Sequence, residues 1–124
     1  QKERQSAVHL KLSVLSSVVK GKRLVLIDDS IVRGTTMASL IRMLKDAGAT
    51  EVHVRISSPP FLFPCYYGTD VPSNDQLIAS SHTAAEICAS IGADSLGYMK
   101  LEDLKQMTGD LPLCKACFDS HYPV

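Results

Sequence analysis

The chain has 124 residues and a mass of 13.5 kDa, enough for one domain with an apolar core of its own. Hydrophobic residues make up 45% of the sequence and charged residues 21%, which excludes wholesale disorder. The net charge is zero, which argues against a dedicated nucleic-acid binder, and no apolar run approaches the roughly 20 residues that a membrane span needs.

The charge is unevenly distributed along the chain. Residues 1–23 hold six Lys or Arg and one Glu, and residues 24–124 hold seven Lys or Arg and twelve Asp or Glu, so the two parts carry +5 and −5. A basic arm of this kind could hold an anionic ligand, but charge alone favours a solvated face. No secretory leader is recognisable. The first residue is Gln, and residues 1–11 show neither a clear helix cap nor a clear strand, so we expect a piece of a longer polypeptide.

The first predicted elements form a strand–helix–strand unit. Residues 24–27 (LVLI) are a continuous apolar run, which is typical of a strand buried on both faces of a parallel sheet. Apolar residues then recur at helical spacing from about residue 36 to residue 47, and Gly48 is well placed to end the helix. Residues 51–57 (EVHVRIS) alternate and predict a second strand. The unit predicts an α/β fold with a parallel sheet.

The second half of the chain is irregular. Residues 58–73 hold four of the six prolines together with several aromatic residues, and predict an ordered loop. Short elements are then predicted in chain order: helices at 75–79, 83–91 and 101–107, and a strand at 95–99. Residues 109–124 show little periodicity.

The segment LVLIDDSIVRGTT, residues 24–36, carries the strongest functional signal. The predicted strand in this segment ends at two carboxylates, Asp28 and Asp29, and therefore places them at the carboxyl edge of the sheet, where α/β folds bind ligands. A small polar loop with Gly34 then opens into a helix, whose first N–H groups and dipole suit a phosphate. The carboxylates would serve sugar hydroxyls or a Mg²⁺ ion. The alternative is an ordinary turn in which Asp29 or Ser30 caps the helix.

The residues DDSIVRGTT resemble the phosphoribosyl pyrophosphate (PRPP) motif of type I phosphoribosyltransferases, and more narrowly that of the amidophosphoribosyltransferase family. The similarity extends through AGATEVHVRISSPP, PCYYGTDVPS, QLIA and EICASIGADSL to the final YPV, and so covers nearly the whole chain. It implies a parallel sheet of the type I phosphoribosyltransferase kind, incomplete in this chain, which lacks the glutaminase domain and the first strands of the transferase domain.

The resemblance implies an enzyme, a glycosyltransferase that transfers ammonia derived from glutamine to PRPP and gives 5-phosphoribosylamine and pyrophosphate, the first committed step of purine synthesis. It implies that Asp28 and Asp29 bind the ribose hydroxyls and Mg²⁺. Lys11 matches the lysine at the end of the family's mobile catalytic loop, and Arg4 lies in the same loop; without the resemblance, both are solvated cations. The residues expected to surround the 5′-phosphate are Ser30, Ile31, Val32, Arg33, Gly34, Thr35 and Thr36.

The four cysteines do not suggest a disulfide framework, because the chain has no secretory signal. Cys114 and Cys117 form a C-x-x-C pair, which suits metal, cluster or redox chemistry but is a weak signal alone. Cys88 is expected to be a small core residue on a helix. The resemblance implies that Cys65, Cys114 and Cys117 are ligands of a [4Fe–4S] cluster whose fourth cysteine lies upstream of this chain. The histidines have no obvious partner at fixed spacing and are expected to be structural or exposed: His9, His53, His82 and His121.

The resemblance divides the chain into a basic arm at 1–23, which is a remnant of the mobile loop, a transferase core at 24–108 and a tail at 109–124. The implied partners are PRPP, purine nucleotides as feedback inhibitors, the N-terminal glutaminase domain of the same polypeptide and further copies in a homo-oligomer, with neither nucleic acid nor membrane. The implied compartment is the cytoplasm, or the plastid in a plant. We expect this chain alone to be inactive.

Two other functions remain open from the sequence. One is a non-catalytic PRPP- or nucleotide-sensing module of the same fold, which can lose the loop lysine that this chain keeps as Lys11. The other is a salvage-type phosphoribosyltransferase that accepts a nucleobase, which ranks last because its loop would not read SIVRGTT.

Overall fold

The computed structural model describes residues 16–71 and 73–123. Its strands are β1 (Arg23–Asp28), β2 (Glu51–Ile56) and β3 (Ser95–Tyr98), which form one parallel sheet in the order β1-β2-β3. The helices, numbered from the end of β1, are α1 (Thr35–Asp46), α2 (Ile78–Ser81), α3 (Ala84–Ile91), α4 (Leu101–Thr108) and α5 (Ala116–Asp119). A single 3₁₀ turn, Asn74–Gln76, precedes α2, and residues 16–19 are also helical. The α/β class and the parallel sheet predicted from the sequence are confirmed.

The main apolar core lies between one face of the sheet and the helices α1 and α3. Helix α1 turns Met37, Ile41 and Leu44 inward, and the alternation of β2 places Val52 and Val54 at 0% exposure on the facing side. Because strand side chains alternate between the two faces, the pattern EVHVRI correctly predicts which residues of β2 are buried.

The ends of the helices follow from local sequence. Thr83 accepts a hydrogen bond from the Glu86 N–H, and the Glu86 carboxylate accepts one from the Thr83 N–H at 2.7 Å, so α3 begins with a capping box. Gly92 ends α3 with φ 74°, a left-handed conformation that favours glycine. Both ends of α3 are therefore fixed by residues visible in the sequence.

Strand β3 is joined to the rest of the fold through Asp94. The Val52 N–H donates to the Asp94 carboxylate at 2.7 Å, and Lys45 forms an ion pair with the same carboxylate at 3.2 Å. The backbone N–H of Val52, followed by Lys45, lowers the pKa of Asp94 below its ordinary value of 3.8. This carboxylate therefore connects α1, β2 and the start of β3.

Strand β1 differs from its prediction. Its residues alternate in exposure, and Val25 and Ile27 are 66% and 73% exposed. The prediction that this strand is buried on both faces is wrong, because α1 and α3 both pack on the opposite face and no other described element covers these two side chains. A continuous apolar run shows that a strand can be buried on both faces, but it does not supply the covering element.

A second, smaller apolar cluster joins the proline-rich loop to the C-terminal tail. Phe61, Val71 and Leu77 form its buried centre, and Val32, Cys65, Cys117 and Phe118 pack against them. The rings of Phe61 and Phe118 lie 5.1 Å apart between centroids, and the N–H groups of residues 62 and 63 donate to the Cys117 carbonyl oxygen. Helix α5 was not predicted, because a four-residue helix is too short to show a period. The division of the chain at residues 23 and 108 stays a prediction.

Among residues 16–71 and 73–123, no helix has the length and apolar character needed to cross a membrane.

Candidate functional site

The segment after β1 forms a loop that leads directly into α1. Gly34 occupies the N-cap position with φ 83°, no side chain hydrogen-bonds the cap, and the first turn of α1 contains no acidic residue. The alternative in which Asp29 or Ser30 caps this helix is therefore excluded. The first N–H groups of a 12-residue helix are left for an outside acceptor, and the helix dipole makes this end positive.

The loop and the start of α1 line one open cavity of about 470 Å³, a size that suits a small-molecule ligand. All nine residues predicted to bind PRPP, from Asp28 to Thr36, line this cavity together with Met37 and Asp70. Ile31 is only 3% exposed and packs into the main core, while Val32 packs against the smaller cluster. These two side chains anchor the loop, so their share of the cavity wall is mainly backbone.

The two carboxylates at the end of β1 remain exposed beside this cavity. One oxygen of Asp28 accepts the Asp29 N–H at 2.9 Å, and one oxygen of Asp29 accepts the Ser30 hydroxyl at 2.9 Å. No Lys, Arg or His forms an ion pair with either of them in the part of the chain that the structure describes. Each carboxylate therefore keeps one oxygen for a ligand, and its charge is not neutralised locally.

The neighbouring strand and the proline-rich loop support this edge. The Ser57 N–H donates to the Asp28 carbonyl oxygen at 3.0 Å, which ties the end of β1 to the end of β2. Asp70 borders the cavity from the proline-rich loop. The sequence analysis did not select Asp70, because it lies 34 residues beyond Thr36 and only the fold brings the two segments together. The sequence signal that could have identified Asp70 is its place in PCYYGTD, where an acidic residue follows two aromatic residues.

Comparison with known proteins bears on the chemistry of this edge. A model described as the phosphoribosyl transferase domain matches residues 1–57, which include β1, the loop, α1 and β2. The chloroplastic amidophosphoribosyltransferase of Glycine max is 51% identical over 126 aligned residues, which cover 100% of this chain and 22% of that protein. The amidophosphoribosyltransferase of Pyrococcus horikoshii is 54% identical over 97% of this chain and 27% of its own length.

The structural comparison agrees with the sequence comparison. A solved structure described as glutamine PRPP amidotransferase from Bacillus subtilis complexed with ADP and GMP matches with a TM-score of 0.79 and 51% identity, over 87% of this chain and 25% of that one. The chain matches amidophosphoribosyltransferases over nearly its whole length. It spans about a quarter of the length of the relatives it matches.

The remaining predicted site residues are the cations Lys11, Arg4 and Arg33. Lys11 and Arg4 lie outside the described residues. The guanidinium of Arg33 is exposed at the cavity and donates a hydrogen bond from Nη2 to the side-chain oxygen of Gln76. Gln76 is neutral, so this contact orients Arg33 and leaves its charge available to an anion.

Two of the three predicted cluster cysteines meet in the smaller apolar cluster. Cys65 and Cys117 both pack there, while Cys114 is exposed. Hydrogen bonds from the backbone N–H groups of Tyr67, Thr69 and Gly68 lower the pKa of the Cys65 thiol below its ordinary value of 9.0.

Burial raises the pKa of the Cys117 thiol, and the nearby Cys65 and Cys114 act in the same direction. The structure does not place three or more His, Cys, Asp or Glu side chains so that they could hold a metal ion, as far as its described residues show. The three cysteines are therefore neighbours that form no complete metal site here.

Cys88 lies apart from the other thiols, on α3. It is half-buried and not the buried core residue that was predicted, because its sulfur is turned toward the end of the helix, where it donates to the Ala93 carbonyl oxygen at 3.4 Å. This position gives Cys88 no part in the candidate site.

His53 has two partners that the sequence analysis did not identify, and they give it the structural place expected of it. Its ring hydrogen-bonds the Glu51 carboxylate and the Ser95 hydroxyl, each at 2.7 Å, on the sheet face away from the core. Hydrogen bonds from His53 and then Arg23 lower the pKa of Glu51 below its ordinary value of 4.5. Glu51 is two residues from His53, a spacing that puts both side chains on one face of a strand, so this contact could have been found from the sequence.

Proposed function

We propose that this chain forms the PRPP-binding half of an amidophosphoribosyltransferase, in which ammonia from glutamine displaces pyrophosphate from C1 of PRPP. The observation that carries the proposal is the uncapped N-terminus of α1, which opens with residues 28–36 onto a single cavity beside two free carboxylates. The family relationship over the whole chain favours this transferase over other proteins that bind a phosphate at a helix start.

The loop and the helix start bind the 5′-phosphate of PRPP in this proposal. Backbone N–H groups point at the cavity from a positive helix end, and the hydroxyls of Thr35 and Thr36 add donors. Arg33 contributes a positive charge at the same wall. A phosphate held in this way fixes the sugar against the end of β1.

Asp28 and Asp29 bind the ribose hydroxyls and one Mg²⁺ ion in the same proposal. Their free, exposed carboxylate oxygens are the hard ligands that this ion prefers, and the residues present therefore fit it. When bound, Mg²⁺ neutralises charge on the pyrophosphate group. The two residues hold the sugar so that C1 faces the entering ammonia.

Positioning and charge neutralisation supply the catalysis. As the C1–O bond to pyrophosphate breaks, positive charge develops on the sugar and negative charge on the leaving group, so no protein nucleophile is required. The acids at the end of β1 lie beside the sugar. Lys11 and Arg4 remain the residues proposed to meet the pyrophosphate, and the net charge of +5 on residues 1–23 supports that role.

The [4Fe–4S] cluster is proposed for the longer polypeptide, on Cys65, Cys114, Cys117 and one cysteine from outside this chain. The N–H groups that hydrogen-bond the Cys65 sulfur are of the kind that stabilise a ligating thiolate.

The remaining proposals concern partners. The Bacillus subtilis relative is described as complexed with ADP and GMP, which supports purine nucleotides as inhibitors of this protein. Because the chain spans about a quarter of its relatives' length, we assign ammonia supply to a glutaminase domain elsewhere in the polypeptide. We also propose a homo-oligomer for the complete enzyme. The proposed compartment is the cytoplasm or, in a plant, the plastid.

Calorimetry with Mg²⁺ and PRPP tests the proposal. Asp28→Asn and Asp29→Asn keep the shape of each side chain and remove its charge, and each is expected to weaken PRPP binding by about tenfold or more, the scale of a charge-assisted contact. Asp46→Asn, at the opposite end of α1, is the matched control and should bind within about twofold of wild type. Unchanged PRPP affinity in both Asp28→Asn and Asp29→Asn would overturn the assignment.

A further inference from the structure

The phosphate loop rests on a second segment that does not border the cavity. Residues 76–78 contact loop residues 32 and 33 and lie close to Gly34. The Ile78 N–H donates to the Val32 carbonyl oxygen at 2.9 Å, and the Arg33 guanidinium donates to the Gln76 side chain. The Ile78 Cδ1 methyl lies 3.3 Å from the point where a Cβ on Gly34 would stand. We call residues 76–78 the loop support.

The loop support is itself fixed to the fold. Leu77, between the two contacting residues, is 1% exposed and belongs to the same apolar cluster that Val32 packs against. Its N–H donates to the Asn74 carbonyl oxygen, and the Ser80 hydroxyl donates to the Asn74 and Leu77 carbonyl oxygens. The support therefore has its own anchor.

The contact between Gln76 and Arg33 differs from the others because it joins two side chains, so it restrains the Arg33 guanidinium directly and the loop backbone through it. Both side chains are exposed, and Gln76 does not line the cavity that Arg33 borders. A free arginine side chain samples many rotamers, and a single fixed acceptor reduces that freedom before a ligand arrives. Gln76 can therefore change phosphate affinity without touching the phosphate.

We propose that Gln76 is a positioning residue of the phosphate loop, which acts through Arg33 and orients its guanidinium for the substrate phosphate. The proposal rests on the proposed function for its ligand. It assigns to the segment after the proline-rich loop a role in binding that neither the motif nor the family relationship identifies. The backbone contact at Ile78 holds the loop in place, and Gln76 adjusts the charge that the loop presents.

Four variants test the role of Gln76 in the full polypeptide. Gln76→Leu removes the acceptor at nearly the same size, Gln76→Glu keeps an acceptor, Arg33→Met removes the donor, and the double variant combines Gln76→Leu with Arg33→Met. Gln106→Leu, on the exposed side of α4, is the matched control. Calorimetry with ribose 5-phosphate measures affinity, and hydrogen–deuterium exchange without ligand measures the order of residues 29–37.

Gln76→Leu is expected to raise the Kd for ribose 5-phosphate by about three- to tenfold, the scale of one hydrogen bond to a charged group, and to speed exchange over residues 29–37. Gln76→Glu should restore the slow exchange, because it keeps an acceptor for Arg33, but not the affinity, because its carboxylate neutralises the Arg33 charge. Gln106→Leu should change neither value. In the Arg33→Met background, Gln76→Leu should have no further effect, because two residues that act as one unit are not additive.

Wild-type affinity and exchange in Gln76→Leu would overturn the proposal, as would a loss of the same size with and without Arg33. If the wild-type protein does not bind ribose 5-phosphate, the proposed function fails, and the exchange of residues 29–37 in Gln76→Leu still decides whether Gln76 orders the loop.

Discussion

Gly34 is the residue whose replacement separates the geometry of the phosphate loop from its chemistry. At φ 83°, an added Cβ makes this backbone conformation unfavourable by about 1–2 kcal/mol. The new atom would also stand 3.3 Å from the Ile78 Cδ1 and 3.4 Å from the Ile91 Cγ2, a crowded position in which either these side chains or the N-cap must shift. Gly34→Ala should therefore lower Tm by roughly 3–10 °C and weaken ribose 5-phosphate binding by about tenfold.

Gly92→Ala is the matched control for this prediction. Gly92 has nearly the same conformation, with φ 74°, but an added Cβ meets no atom within 4 Å and the site lies elsewhere. Both variants should show a comparable fall in Tm by circular dichroism, and only Gly34→Ala should lose affinity in calorimetry. Ribose 5-phosphate binding by Gly34→Ala at the wild-type Kd would refute the argument, because the loop would then not be the phosphate site.

The remaining predictions concern stability and thiol reactivity. Thr83→Ala removes the capping box of α3 and should lower stability by about 1 kcal/mol in a denaturant titration; an unchanged midpoint would contradict the cap. The pKa of Asp94 is lowered in the folded protein, so the stabilisation by its carboxylate is complete above the ordinary pKa of 3.8 and is lost as the pH falls below it. Asp94→Asn should therefore flatten the decline of Tm between about pH 5 and pH 2.5. A decline of Tm with the same slope in wild type and variant would contradict this argument. Iodoacetamide should alkylate Cys65 faster than Cys117 near pH 7.5, because backbone N–H groups lower the pKa of the first thiol and burial raises that of the second; mass spectrometry showing the reverse order would contradict this assignment.

The sequence was sufficient to predict the elements that define the site. Helix α1 was expected from about residue 36 to residue 47 and spans Thr35–Asp46, since its amphipathic period and Gly48 mark its extent. The last strand and α3 were also predicted within two residues of their bounds, and the structure shows that a capping box and Gly92 fix the two ends of α3. Local chemistry therefore determines where these elements begin and end.

Contacts between distant segments could not be predicted in the same way. Asp70 reaches the cavity, and Gln76 reaches Arg33, only because the proline-rich loop returns to the end of the sheet. The exposure of Val25 and Ile27 has the same origin, since it depends on which elements cover a face and not on the strand itself. A single sequence contains no distances between segments that the fold brings together.

The central claim is that the loop after β1 binds a phosphate, and an NMR titration tests it most directly. Ribose 5-phosphate is added to the ¹⁵N-labelled chain while amide chemical shifts are measured, and ribose serves as the control that lacks the phosphate. The account predicts saturable changes that are largest for the N–H groups of residues 30–36, at the uncapped start of α1, and no comparable change with ribose. Saturable binding with its largest changes elsewhere, or no binding at millimolar concentration, would contradict the claim that this loop is the phosphate site.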